Sequence, residues 1–171
     1  MVQKAQRVSG RNVMKPLARP VAGFTLPELL VVLAVAGILA AIAIPSFQSL
    51  TQSQQIKNAS FELYSSLVLA RSEAIKRSGN VTITGVAYAN NESGWVITSA
   101  GGEVIRTQGA LKGIVLTVLP AGTTGVTFNR SGRATASPTF QIDSSATPTS
   151  NVRCIRIELS GMPRTLKGVC S

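Results

Sequence analysis

Residues 29–44 form a run of sixteen residues that consists only of Leu, Val, Ile, Ala and one Gly, and Pro45 follows it directly. A helix that is apolar on every side has no polar face to turn towards water, so it is not the surface helix of a soluble domain. The slightly longer segment 24–45 would form about 33 Å of helix, enough to cross the hydrocarbon core of a bilayer. The sequence therefore predicts a membrane span or anchor near the N-terminus.

The charge of the chain is unevenly distributed. There are 17 Lys and Arg against 7 Asp and Glu, and five of the cations but none of the acids lie in residues 1–23. Such a segment is typical of a basic leader, which the positive-inside rule keeps on the cytoplasmic side. The remaining 12 cations against 7 acids give a moderate +5, so the chain after residue 23 is not a histone-like polycation.

A secretory signal peptide is the alternative explanation of this N-terminus, with cleavage near Ala41–Ala43. Glu28 at the start of the apolar run and Pro45 after it count against this explanation. The helical pattern also continues to Arg77, with apolar residues three or four apart at Ile56, Ala59, Leu63, Leu67, Ala70 and Ala74. We therefore expect one helix over residues 24–77, with a membrane half at 24–45 and an amphipathic half at 46–77.

The residue types restrict the chemistry that the chain can perform. It has no His and only two Cys, and its seven acids are scattered. A Ser-His-Asp triad, a His metal site and a multi-Cys zinc site therefore lack their side chains. The sequence predicts a protein that is not an enzyme and that needs no cofactor or metal.

Short runs of β-forming residues, broken by Gly, Ser, Thr and Pro, follow the helix. They predict an antiparallel β-domain over residues 78–171, against which the second half of the helix packs. Ile114–Leu119 is apolar on both faces, which predicts a central strand. Trp95, the only Trp, is expected to be a packing residue rather than a ligand-binding one.

The sequence Gly-Phe-Thr-Leu-Pro-Glu at residues 23–28, followed by the apolar run, resembles the processing and assembly signature of type IV prepilins and type II secretion pseudopilins. The resemblance implies that a prepilin peptidase cuts between Gly23 and Phe24 and that Phe24 is then N-methylated. It also implies that Glu28 meets the N-terminal nitrogen of a neighbouring subunit during assembly. An alternative is that Glu28 lies among lipid headgroups near the helix N-terminus.

Gly37 and Pro45 both weaken the predicted helix. Pro45 cannot donate a hydrogen bond to the carbonyl of Ala41 and should kink the helix, and Gly37 has a low helix propensity. In the family that the signature resembles, this stretch can melt when subunits pack into a filament. A helix that is merely kinked fits the sequence equally well.

A second resemblance rests on Leu-Ala-Arg-Ser-Glu-Ala-Ile-Lys-Arg at residues 69–77, on the strand that follows it, and on Gly94-Trp95. These segments are similar to the GspH/FimT branch of the pilin family. The resemblance implies the α+β type IV pilin fold, and a subunit anchored by one span in the bacterial inner membrane before it enters a pilus in the periplasm or at the cell surface. The implied partners are the prepilin peptidase, other minor pilins and the major pilin.

Cys154 and Cys170 are the only cysteines. The anchor places the domain that follows it on the outer, oxidising side of a membrane, where a disulfide between them is expected. Two buried, reduced thiols are the alternative.

A basic group lies near these cysteines. In some FimT-like pilins a Gly-Arg-x-Arg motif binds DNA for uptake, and the corresponding residues here are Gly161-Met-Pro-Arg164, without the first Arg. The candidate residues for binding double-stranded DNA are Arg133, Arg156, Arg164 and Lys167. Three functions follow from the resemblance: a minor pilin of a tip or priming complex, a DNA-binding pilin for natural transformation, and the H pseudopilin of a type II secretion system.

Overall fold

The computed structural model of the protein describes residues 23–145 and 151–170. Within them, the chain forms one α-helix and eight β-strands, and the described part divides after Ile42 into two compact units. The elements are α1 (Leu26–Lys76), β1 (Val81–Ala87), β2 (Ser93–Ser99), β3 (Val104–Leu111), β4 (Ile114–Leu119), β5 (Gly125–Phe128), β6 (Thr139–Ser144), β7 (Arg153–Ile157) and β8 (Pro163–Lys167). Of the predicted leader, all but Gly23 lies outside the described residues.

The first unit contains the apolar start of α1. Every described residue up to Ile42 is exposed, and α1 is long and apolar enough to cross a membrane. Among the described residues of this unit, nothing covers these apolar side chains, as expected of a segment that contacts lipid or other proteins.

The second unit contains the amphipathic half of α1. The six residues that the sequence places on one stripe, from Ile56 to Ala74, are all buried, and they share one core with both β-sheets. The helix ends in a Schellman motif, in which the amide of Gly79 donates to the carbonyl of Ala74 and that of Ser78 donates to Ile75. Ser78 adopts the left-handed conformation at φ 51°, so the residue that turns the chain is Ser78 and not the neighbouring glycine.

Two antiparallel sheets make up the β-domain. Their strand orders are β3-β2-β1-β5 and β4-β6-β7-β8. Alternate residues of the strands face the helix, which explains the burial of Val81 and Ile83 in β1, Phe140 and Ile142 in β6, and Ile155 and Ile157 in β7. Trp95 is also in this core, as the sequence predicts, with 2% of its surface exposed.

The prediction that Ile114–Leu119 is a central strand is wrong. Among the strands of the described residues, β4 pairs with β6 alone and forms an edge of the second sheet. The face of β4 that carries Leu116 and Val118 is nevertheless partly buried, because β4 packs across the first sheet. Leu116 and Val118 approach to 3.5 Å the position that a Cβ atom on Gly85 would occupy. The apolar residues of this face therefore reflect contact between the two sheets, and not a central position in one.

Candidate functional site

The Gly23–Phe24 bond precedes α1 by two residues. Gly23 and Phe24 are outside the helix, and the side chain of Phe24 is 78% exposed. At the start of the helix, the amide of Thr25 donates to Oε2 of Glu28 at 3.5 Å, which is one of the two hydrogen bonds of a capping box. The bond is thus in an accessible, non-helical segment, which is the backbone geometry that a protease needs.

Glu28 lies in the first turn of α1, where the helix dipole favours a negative charge. Within residues 23–145 and 151–170, its side chain accepts a hydrogen bond from the amide of Thr25. Gly37 has open space around the position of a Cβ atom, and α1 continues through Pro45 as one helix. The structure therefore contains the helical form of the stretch from Gly37 to Pro45.

Cys154 and Cys170 form a disulfide, with 5.2 Å between their Cα atoms. The bond closes a loop that contains all of β8. The amide of Cys170 also donates to Oε1 of Gln141 on β6. These two contacts fasten the end of the described chain to the outer face of the second sheet.

Arg71 on α1 holds two turns of the β-domain together. Its Nε donates to the carbonyl oxygen of Gly132 at 3.0 Å, and Nη1 contacts the sulfur of Met162 at 2.7 Å. Gly132 and Gly161 both have positive φ angles, and a Cβ atom on Gly161 would lie 2.0 Å from the Gly132 oxygen. The glycine of the degenerate Gly-x-Pro-Arg segment is thus required by this close approach of two backbones.

The four residues proposed from the sequence to bind DNA do not form one group. Arg156 and Arg164 are direct partners across β7 and β8, on the sheet face that carries Cys154. Lys167 is on the other face of the sheet, where it is the cross-strand partner of Arg153. Arg133 lies in the β5–β6 loop. Nε of Arg164 is 3.2 Å from Oε1 of Glu158. The structure therefore separates Lys167 from the two arginines and pairs one of those with an acid.

A cluster that sequence analysis missed lies between α1 and the strands β7 and β8. Lys57, Arg153 and Lys167 line one cavity of about 170 Å³, together with Ser53, Asn151 and Val152. Lys57 and Arg153 also line an adjoining cavity of about 360 Å³, which includes Phe61 and Tyr64. We call these two cavities the basic cleft. Lys57 on the helix is almost a hundred residues or more in sequence from the two cations on the strands, so only the tertiary fold brings it to them.

A second charged cluster closes the end of α1. Arg77 donates from Nε to Glu73 at 2.7 Å and from Nη1 to Glu103 at 2.6 Å, which connects the helix to the segment before β3. The hydrogen bond from Arg77 holds the pKa of the Glu73 carboxyl below its ordinary value, and Lys76 adds to the effect. The same bond raises the pKa of Arg77. In residues 23–145 and 151–170, no group of His, Cys, Asp and Glu side chains could hold a metal ion.

Comparisons with known proteins agree with these features. The model of the family described as "Type II transport protein GspH" matches residues 59–161, and that of the "Prokaryotic N-terminal methylation motif" matches residues 18–44. No curated protein sequence matches the chain.

Two solved structures share the fold. A crystal structure of the type IV minor pilin FimU of Pseudomonas aeruginosa is 22% identical and has a TM-score of 0.55, with 67% of this chain and 90% of that chain covered. The minor pseudopilin EpsH of the Vibrio cholerae type II secretion system is 15% identical with a TM-score of 0.52, and 70% of this chain and 98% of that chain are covered. The pilin fold predicted from the sequence is confirmed.

Proposed function

We propose that this chain, which belongs to the GspH family of type II transport proteins, is a minor pilin of a type IV pilus, anchored in the inner membrane before it joins a tip or priming complex. Its methylation motif implies processing by a prepilin peptidase and assembly with other pilins. The family is one of structural pilins and pseudopilins, and the proposed role is accordingly that of a subunit and not of an enzyme.

The observation that carries the proposal is the position of the motif on the fold. The Gly23–Phe24 bond is exposed just before an apolar helix segment with no cover of its own, and the same helix continues into the core of the β-domain. Cleavage there would remove residues 1–23 and leave the apolar segment attached to residues 78–171. The product would be a folded domain attached to a membrane anchor, which is the form of a pilin before assembly.

Glu28 is the residue that we assign to assembly. An unpaired carboxylate in hydrocarbon costs about 2.5–3.5 kcal/mol on insertion scales. After cleavage, the new amino group at Phe24 of a neighbouring subunit would be a suitable cation for it. Pairing of the two would then favour one register between adjacent subunits.

Mass spectrometry of the protein from its own bacterium tests the processing step. We expect a mature chain that begins at Phe24 and carries one methyl group, and an uncleaved chain when Gly23 is replaced by Arg. A wild-type chain that keeps residues 1–23 in cells with an active prepilin peptidase would refute the proposal.

The assembly step has its own test. We expect Glu28→Ala to be cleaved but to be at least about tenfold depleted from sheared filaments, since it loses a buried charge pair. Glu92→Ala, which removes an acid from the β-domain, is the matched control and should assemble as wild type does. Equal incorporation of both variants would remove Glu28 from the mechanism.

A pseudopilin of a type II secretion system is the second candidate, and the description of the matching family favours it. Deletion of the gene discriminates between the two. Loss of surface pili with normal protein secretion supports the minor pilin, whereas retained pili with secretion substrates trapped in the periplasm supports the pseudopilin.

A further inference from the structure

The basic cleft holds three cations, Lys57, Arg153 and Lys167. In residues 23–145 and 151–170, none of the ion pairs involves Lys57, Arg153 or Lys167. Arg153 and Lys167 are moreover direct cross-strand partners, and like charges placed opposite each other destabilise a sheet. An arrangement that is unfavourable alone becomes favourable when an anion binds between the charges.

The geometry of the cleft restricts the anion. Arg153 and Lys167 project from the face of the second sheet that also carries Ile155, towards the helix, and Lys57 approaches from α1. The inner cavity of about 170 Å³ has room for a carboxylate side chain or one phosphate group. Ser53 and Asn151 at its wall could supply further hydrogen bonds to the oxygens of either.

The surroundings favour a protein as the source of that anion. The adjoining cavity of about 360 Å³ contains Tyr64 and the side chain of Phe61, which is 73% exposed. Aromatic side chains and Arg are enriched at the core of protein–protein interfaces. The phosphates of duplex DNA lie on a convex surface, and the arginines Arg156 and Arg164 that would extend a DNA-binding surface are on the other face of the sheet.

We propose that the basic cleft binds an acidic side chain of a neighbouring pilin subunit, with an apolar residue of the same segment packed on Phe61. This proposal rests on the proposed function, because it names the kind of contact through which the subunit joins its complex. It makes Lys57 and Lys167 interface residues, and it gives Arg153 the role of the bidentate, partly buried cation at the base of the cleft.

Carbodiimide cross-linking of assembled complexes tests the contact directly, since this reagent joins a lysine amine to a carboxylate only when the two are in contact. We expect an isopeptide bond from Lys57 or Lys167 to an Asp or Glu of another subunit. Lys112, an exposed lysine in the β3–β4 turn, is the internal control and should not react comparably. Lys57→Arg plus Lys167→Arg should abolish the cross-link and leave assembly unchanged, because the charges remain.

Charge reversal tests the consequence for assembly. We expect Lys57→Glu plus Lys167→Glu to reach the membrane in normal amounts but to be at least about tenfold depleted from filaments. Replacing the cross-linked acid of the partner by Lys should restore it. Arg106→Glu, a reversal on the exposed strand β3, should assemble normally. The milder double variant Lys57→Gln plus Lys167→Gln should also be depleted from filaments. It replaces the charge-reversed variant in this test if the latter unfolds at a lower temperature than the full-length wild type in detergent.

Two results would overturn the proposal. One is the absence of any cross-link from Lys57 and Lys167 to a protein carboxylate. The other is normal assembly of the charge-reversed protein, and if that variant has also lost binding to duplex DNA, the cleft is assigned to nucleic acid. A wild-type chain that is absent from filaments and pilin complexes refutes the proposed function instead, so the two failures are distinguishable.

Discussion

At the scale of single residues, Gly161 combines two constraints that exclude a side chain. Its φ angle of 82° is in the left-handed region, and a Cβ atom there would lie 2.0 Å from the carbonyl oxygen of Gly132, the same oxygen that accepts from Arg71. We expect Gly161→Ala to lower the free energy of unfolding by about 1–3 kcal/mol, because it adds a steric clash to backbone strain.

Thermal unfolding of the full chain in detergent measures this effect. Gly168→Ala is the matched control, since Gly168 also has a positive φ, 100°, but has open space around its Cβ position. The free energy of unfolding of the control should fall only by the amount that backbone strain contributes. Equal losses in the two variants would show that the contact with Gly132 does not constrain the turn.

A pH dependence follows from Glu73, whose pKa is lowered chiefly by the hydrogen bond from Arg77. A carboxyl whose pKa is lower in the folded state than in the unfolded state, where it is ordinarily 4.5, stabilises the fold at any pH above that unfolded-state pKa. This contribution is lost as the pH falls through the folded-state pKa. We therefore expect Glu73→Gln to unfold at a lower temperature than wild type at pH 7 and at about the same temperature well below the folded pKa. The effect should be small, because Arg77 is partly exposed, and a pH-independent difference would contradict it.

At the scale of elements, the helix was predictable and the strand order was not. The 3.6-residue period of α1 fixes which residues meet the core, and all six predicted positions are buried. The place of a strand in a sheet depends on partners far away in sequence, so the apolar faces of β4 could not show that it is an edge strand packed across another sheet. For the same reason, the sequence did not predict the pairing of β8 or the basic cleft, whose cations lie on α1, β7 and β8.

The disulfide is the device that holds β8. This strand is an edge strand with exposed residues from Arg164 to Lys167, and little buried area fixes it. Closing a loop of about 15 residues contributes roughly 3 kcal/mol through loop-closure entropy. We expect Cys154→Ser plus Cys170→Ser to lower the free energy of unfolding by about this amount, and hydrogen exchange should become faster first in β8. Unchanged exchange in β8 would mean that its pairing with β7 suffices.

At the scale of the whole molecule, the charge left after residue 23 is a moderate +5, and the fold distributes it over several surfaces. Three cations are concentrated in the basic cleft, and Arg156 and Arg164 are on the reverse face of the sheet. Binding of duplex DNA remains a prediction from the sequence. Its strength depends on how many of these cations are free to contact phosphates at once.

The salt dependence of that binding counts the contacts. Each phosphate that a cation neutralises changes the slope of log K against log salt by about 0.9. Nε of Arg164 is already paired with Oε1 of Glu158 at 3.2 Å. We therefore expect Arg164→Ala to change the slope by much less than the loss of one phosphate contact would. Glu158→Gln should instead steepen the slope, because it releases the guanidinium of Arg164 to contact a phosphate of the DNA. If Arg164→Ala removes a whole contact, the ion pair opens when DNA binds, and the surface that carries Cys154 is then a DNA-binding face in its own right.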